Sequence, residues 1–307
     1  MKGTGITKLG LKTAITLATL GLIGVVCSTS AQPTAHYVPG VEGIKGSSLP
    51  PPGIYARDYN VFYFATRLND NNGDKIEPAD PEAFIYANVP RVLWITDKKV
   101  LGGFLGFDAL LPLQYTSLKV NTPGGPFDES TFGIGDLFAE STLSWHPPQY
   151  DLAVAYGVWA PTGDSSPNLT TRAGLGYWTH MLTAAVTWYP DKGKKWSASA
   201  LSRYEINQQK KDTDITPGQA YTLEWGVSYA AKPTLDLGVA GYYQIQTTED
   251  CGSGASNLKD QVFAVGPEIS GVLPKLGVIC SLRYEYEVFS KNRLQGNTVA
   301  LTLTKRF

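Results

Sequence analysis

The side chains best placed for chemistry recur at every second position inside otherwise apolar stretches. They are Asp58, Asp108, Asp136, Glu140, Arg203, Glu205, Glu224, Asp236, Glu268, Arg283, Glu285 and Glu287, ten acids against two arginines. Carboxylates and guanidiniums on one face of a sheet either knit a hydrogen-bonded core or line a wet passage. Arg203-Tyr204-Glu205 and Arg283-Tyr284-Glu285 repeat one triplet. Inward ion-pair struts are its plainer role, and contact with a solute is the sharper one. Counting by two puts Phe62, Phe64, Phe104, Phe138, Trp159 and Tyr242 on the same face. Apolar patches between polar groups suit an aromatic or aliphatic solute better than a sugar or a phosphate.

Catalysis finds little footing. The chain has no His-Glu-x-x-His, Cys-x-x-Cys, Walker sequence or Gly-x-Ser-x-Gly. His180 shares a face with Trp178 and Leu182, His146 sits in a turn, and His36 precedes the first strand. None has a serine at a spacing that places base beside nucleophile, so neither an enzyme nor a cofactor is expected. Asp70-Asn71-Asn72-Gly73-Asp74 has oxygen ligands round a glycine, but Leu68 occupies the first acidic position of a calcium loop. The composition suits a solvated turn, and no metal is expected. Lys and Arg number 26 against 27 Asp and Glu in 307 residues, which leaves no basic footprint for nucleic acid. A mean hydropathy of -0.12 is too polar for a bundle of membrane helices.

These residues need elements that hold them on one face. Leu223, Trp225, Val227 and Tyr229 alternate with Glu224, Gly226 and Ser228. Cys280, Leu282, Tyr284, Tyr286 and Val288 alternate with Ser281, Arg283, Glu285 and Glu287. A period of two means strands with one apolar and one polar face. A helix would scatter the same residues round its axis. Twelve such segments run near 54–68, 83–96, 99–119, 132–145, 150–162, 174–189, 195–209, 218–230, 234–248, 259–272, 276–289 and 295–307. Most exceed the roughly 5–6 residues of a globular strand and suit the roughly 10 of a tilted membrane strand.

The connections discriminate further. Long polar ones at 69–82, 120–131, 163–173, 210–217, 249–258 and 290–294 alternate with short ones at 97–98, 146–149, 190–194, 231–233 and 273–275. Long outside, short inside is the pattern of an outer-membrane barrel. Trp94, Trp145, Tyr150, Trp188, Trp196 and Tyr229 all lie beside short turns, as a membrane girdle would. The chain ends in Phe307, a terminal aromatic of the kind that serves barrel assembly. The expected fold is all-β, a transmembrane antiparallel up-and-down barrel of about twelve strands.

Three regions follow. Residues 1–31 read as a secretory signal, with Lys2, Lys8 and Lys12 before an apolar run and Ser28-Thr29-Ser30-Ala31 at the cut. Residues 32–53 carry Pro33, Pro39, Pro50, Pro51 and Pro52. They form a lead-in that is either a periplasmic strap or a partial plug. Residues 54–307 form the barrel. Cys27 leaves with the signal. Cys251 and Cys280 fall near opposite ends of the barrel, beyond disulfide reach.

Several short motifs in shared order carry a resemblance over nearly all the mature chain. They include His36-Tyr37-Val38-Pro39-Gly40, Pro51-Pro52-Gly53-Ile54-Tyr55, Gly133-Ile134-Gly135-Asp136, Pro161-Thr162-Gly163, Arg203-Tyr204-Glu205-Ile206-Asn207, Leu223-Glu224-Trp225-Gly226 and Gly266-Pro267-Glu268. Together they resemble the outer-membrane meta-pathway phenol-degradation family. The resemblance implies a channel for passive uptake of small hydrophobic or aromatic compounds in a Gram-negative outer membrane. The expected partners are outer-membrane lipids, the solute and the barrel-assembly machinery, with the protein a monomer. The alternative is a closed structural or receptor barrel that binds a partner through its loops.

Overall fold

The computed structural model describes residues 35–77, 79–122, 125–166 and 168–307. The expected signal with Cys27, and residues 32–34 of the lead-in, lie outside them. Every regular element among the described residues is a strand. These are β1 (Gly53–Leu68), β2 (Glu82–Val100), β3 (Gly103–Leu110), β4 (Leu113–Thr122), β5 (Gly125–Ile134), β6 (Leu137–Trp145), β7 (Tyr150–Ala160), β8 (Thr179–Trp188), β9 (Trp196–Asn207), β10 (Ala220–Lys232), β11 (Leu235–Gln246), β12 (Gln261–Leu273), β13 (Val278–Lys291) and β14 (Leu294–Arg306). They form one antiparallel sheet that closes because β1 pairs with both β14 and β2. Closure matters in lipid, where an open edge would leave backbone groups without partners.

Two interruptions reduce the fourteen strands to twelve staves. β2 pairs with β4 through Glu82–Asn88 and with β3 through Arg91–Val100, so β3 and β4 are halves of one stave. β6 pairs with β3 and β5 with β4, so β5 and β6 are halves of the next. Pro112 marks the first break, since proline brings no ladder N–H. Its carbonyl accepts from the Gly135 N–H at 2.8 Å, at the second break. Across Gly135–Asp136 the inward residues change from odd numbers (Thr131, Gly133) to even (Asp136, Phe138, Glu140). Alternation read from sequence spans the first break unnoticed, because parity survives it.

Three connections differ from expectation. The turn expected at 97–98 lies at Leu101–Gly102, because Lys99 and Val100 still pair with Phe104 and Gly103. Both turn residues have positive φ, 51° and 80°, as the twist of a tight hairpin demands. The expected long loop at 120–131 is strand, since β4 and β5 stay paired up to Thr122 and Gly125. Likewise 290–294 is a tight turn at Asn292–Arg293. The longer connections at 69–81, 161–178, 208–219 and 247–260 gather at one end, the extracellular one for an outer-membrane barrel.

β5 has a strand on one side only. Its other edge meets the connection after β7, where Asp164 N donates to Ile134 O at 2.8 Å. The Asp164 carboxylate accepts from Ile134 N at 2.9 Å. Gly163 and Gly135 make this fit possible: a Cβ on Gly163 would lie 2.5 Å from the Gly135 carbonyl carbon.

The outer wall is apolar, with Leu237, Ile269, Leu282 and Tyr286 exposed to the bilayer. Trp188, Trp196 and Tyr229 are exposed there too, beside the short turns, and Trp94 is exposed opposite Ile54 at the start of β1. Trp145 joins them and donates from Nε1 to Leu101 O at 3.1 Å. Phe307 is exposed, its N–H bonded to Ile54 O at 2.9 Å. Both described cysteines are free thiols. Cys251 is exposed in the 247–260 loop, and Cys280 lies on β13 near the opposite rim. A membrane-impermeant maleimide added to intact cells should therefore label Cys251 and not Cys280. Labelling of Cys280 with Cys251 spared would invert the orientation.

Candidate functional site

The lumen is built from peptide as much as from wall. Residues 35–52 form no strand, and their prolines and glycines give them no ladder of their own. Carboxylates on the inner wall accept their N–H groups instead. Glu205 Oε1 accepts from His36 N at 2.9 Å and Tyr37 N at 3.1 Å. Glu224 accepts from the Tyr37 hydroxyl at 2.6 Å, Gly40 N at 2.8 Å and Glu42 N at 3.0 Å. Glu268 accepts from Ile44 N at 2.8 Å and from Arg283 Nη1 at 2.9 Å. Arg283 in turn donates to Gly40 O. Lys45 pairs with Asp236 at 2.7 Å. The acid excess in the wall thus has a partner in the threaded backbone. A buried N–H left without an acceptor would cost about 1–3 kcal/mol.

At the middle of the segment, Glu42 meets the wall's arginines. Its carboxylate lies 3.0 Å from Arg57 Nη1, 2.9 Å from Arg91 Nη1 and 3.6 Å from Arg203 Nη2. The Tyr59 hydroxyl adds a bond at 3.1 Å. Burial pushes the Glu42 carboxyl up, but the three guanidiniums outweigh it and hold the group below the usual carboxylate range. Arg91 is also held by Asp108 at 2.8 Å and lies 3.6 Å from Glu140.

Beside this cluster, toward the extracellular end, the segment leaves a chamber of about 240 Å³. Val61, Val89, Leu110, Phe138, Trp159 and Met181 are among its walls. Phe138 and Trp159 lie against each other with ring centroids 4.6 Å apart. That volume is below the roughly 300–1,000 Å³ of pockets for drug-sized ligands, so it suits a single small ring.

Of the expected lumen residues, Asp108, Asp136, Glu140, Arg203, Glu205, Glu224, Glu268, Arg283, Glu285 and Trp159 are all buried inside. Phe104 packs inward against Tyr55, Leu93 and Ile95 near the periplasmic rim. Asp58 is a correction: it faces outward, opposite Leu303 and Pro90. Its carboxylate is satisfied there by the Asn60 and Asn88 amides, each at 2.8 Å. Phe62 and Phe64 turn outward with it, stacked on Tyr86 and set against Phe84. β1 carries aromatics on both faces, so hydropathy left its parity open. Placing the charge inward then placed Arg57 outward. The missed residues are Arg57, Arg91 and Glu42. The signal for Arg91 was present, since Arg91, Leu93 and Ile95 alternate against Val92 and Trp94.

The histidines serve as fasteners. His36 contacts Asp136 at 2.9 Å and Thr179 at 2.7 Å, and its ring stacks on Trp159. Threonine, histidine and aspartate in a row suggest a nucleophile, but the Thr179 hydroxyl donates to Asn207 at 2.6 Å and is fully buried. His180 contacts the Tyr156 hydroxyl and the Gln208 amide on the outer wall. His146 contacts Asp151 at 2.9 Å in a periplasmic turn. The Asp70 side chain accepts from Asn72 N and Asp74 N, closing its own turn, and those N–H groups hold its carboxyl below the usual range.

A family pattern described as "Putative MetA-pathway of phenol degradation" matches residues 65–303. Among curated proteins none matches the sequence. Solved structures are similar in fold. An outer membrane channel from Pseudomonas putida F1 aligns at a TM-score of 0.73 and 15% identity, over 89% of this chain and 100% of that one. The translocator domain of the autotransporter NalP from Neisseria meningitidis aligns at 0.52 and 12%, over 85% and 91%. The β domain of the Bordetella autotransporter Brka aligns at 0.50 and 12%, over 84% and 100%.

Removing one wall acceptor tests how the segment is seated. Glu224→Ala strands two backbone N–H groups and a phenol, at about 1–3 kcal/mol for each buried donor. Protease added to the purified barrel should cut residues 35–52 about tenfold faster or more than in the wild type. Heat-modifiable migration should show the barrel still folded. Unchanged cutting would contradict the seating.

Proposed function

The chain belongs to the phenol-degradation family matched over residues 65–303, and from that premise we propose that it admits small hydrophobic, chiefly monoaromatic, compounds through the outer membrane. The observation that carries this reading is the aromatic-walled chamber inside a closed barrel. A polar solute would gain little there. A single ring exchanges water for Phe138, Trp159 and Met181, at roughly 25 cal/mol per Å² of apolar surface removed from water. The route is facilitated diffusion. Solute enters at the loop end, rests in the chamber and leaves toward the periplasm, where consumption maintains the gradient. Residues 35–52 narrow that route and keep water and ions from streaming through it. No covalent step is required of any side chain. The protein acts as a monomer, and the exposed Phe307 ring is offered to the assembly machinery.

Ala87 is a half-buried inward residue of β2 on the chamber wall, so Ala87→Trp should fill the chamber and leave the outer wall untouched. A strain lacking the gene should grow several-fold more slowly on a dilute monoaromatic carbon source, and normally on glucose. The wild-type gene should restore growth and Ala87→Trp should not. Equal growth of all strains on every aromatic tried would overturn uptake and leave the closed barrel that binds a partner through its loops.

A further inference from the structure

Arg57 and Arg91 are direct cross-strand partners on the inner wall. Like charges so placed repel, and neither proline nor glycine of the threaded segment offsets them. Arg203 of β9 reaches the same point, 3.6 Å from Glu42. Among the described residues, Glu42 is the only acid within ion-pair distance of Arg57 or of Arg203. Arg203 has donors to spare: its buried Nε and Nη1 have no hydrogen-bond partner among the described residues, and its guanidinium lies over the Tyr37 ring at 3.9 Å. Three guanidiniums and the Tyr59 hydroxyl converging on one carboxylate make a carboxylate receptor on the wall. The carboxylate that fills it is not part of the wall. It belongs to a segment that is threaded in and held by hydrogen bonds.

Glu42, Arg91 and Arg203 border both the 240 Å³ chamber and a smaller cavity of about 30 Å³ on the periplasmic side. The cluster is the septum between them. A solute with an apolar ring in the chamber would point its polar end at the arginines.

We propose that Arg57, Arg91 and Arg203 form a carboxylate-binding site at the floor of the chamber, taking single-ring aromatic carboxylates whose anion replaces Glu42. Glu42 is the internal stand-in for the solute's carboxylate, and its displacement loosens the segment at the septum. This deepens the uptake reading by naming a solute class, and it rests on that reading.

The test is chemical rescue, with benzoate as the probe. Thermal unfolding of the purified full barrel is followed against benzoate, acetate and benzyl alcohol for wild type, Glu42→Ala and Glu42→Ala/Arg57→Gln. Benzoate should raise the Tm of Glu42→Ala saturably, with half-saturation about tenfold or more below that of the wild type. Acetate should need higher concentrations, lacking the ring, and benzyl alcohol should not discriminate wild type from variant. The double variant should lose most of the gain. Equal half-saturation in wild type and Glu42→Ala, or equal rescue by benzyl alcohol, would overturn the site. Should Glu42→Ala not fold, Glu42→Gln keeps the side-chain shape without the charge and carries the same comparison. Growth on a neutral monoaromatic reports uptake separately. Normal uptake without benzoate rescue overturns the carboxylate site alone, and rescue without uptake overturns the uptake reading alone.

Discussion

A peptide segment inside a closed barrel must find partners for every backbone N–H without a strand beside it, and that requirement organises this structure. The barrel's own ladders are complete round the closure between β1 and β14, so they offer the segment nothing. Side chains must accept instead. Glu205, Glu224 and Glu268 do so on three different staves. A carboxylate suits this work better than an amide. Each of its oxygens accepts more than one bond, and an ionised acceptor makes the stronger bond. The acidic wall and the proline- and glycine-rich segment are therefore two halves of one solution.

The same constraint shapes the chamber. Glu42 sits where Arg57, Arg91 and Arg203 converge, and Arg283 grips the Gly40 carbonyl. The segment's backbone bonds hold it on β9 to β13, and the chamber lies toward the β1, β2 and β4 side, lined there by Val61, Val89 and Leu118. An apolar space remains because the segment's backbone bonds go to β9 to β13, while its polar contacts with β1 and β2 are confined to the Glu42 cluster at the chamber floor. Removing one partner of such a buried pair typically costs about 3–5 kcal/mol, so the segment's position is well defined.

Much of the fold was legible because membrane strands repeat a two-residue period over ten or more residues. Along β9, β10 and β13 the period put Arg203, Glu205, Glu224, Arg283, Glu285 and Glu287 on the inner face, where all are buried. It failed where both faces carry similar residues. β1 alternates Tyr55, Tyr59 and Tyr63 against Phe62 and Phe64, and the placement of Asp58 followed from charge rather than hydropathy. The structure satisfies Asp58 with Asn60 and Asn88 on the outer wall, a local arrangement that requires knowing that β1 and β2 pair in this register. Glu42 was illegible for another reason. Its partners come from β1, β2 and β9, and no spacing along the chain brings these together. The alternation of long and short connections found the barrel, although two of the connections expected to be long are tight hairpins. The remaining four carried enough contrast.

Residues 35–52, seated by wall carboxylates, fill the lumen and define the chamber. Single-channel recording in planar bilayers checks this, comparing the protein with a variant that lacks residues 35–50. A several-fold larger and steadier conductance is expected without the segment, because the barrel would then be open from end to end. An unchanged conductance would contradict it.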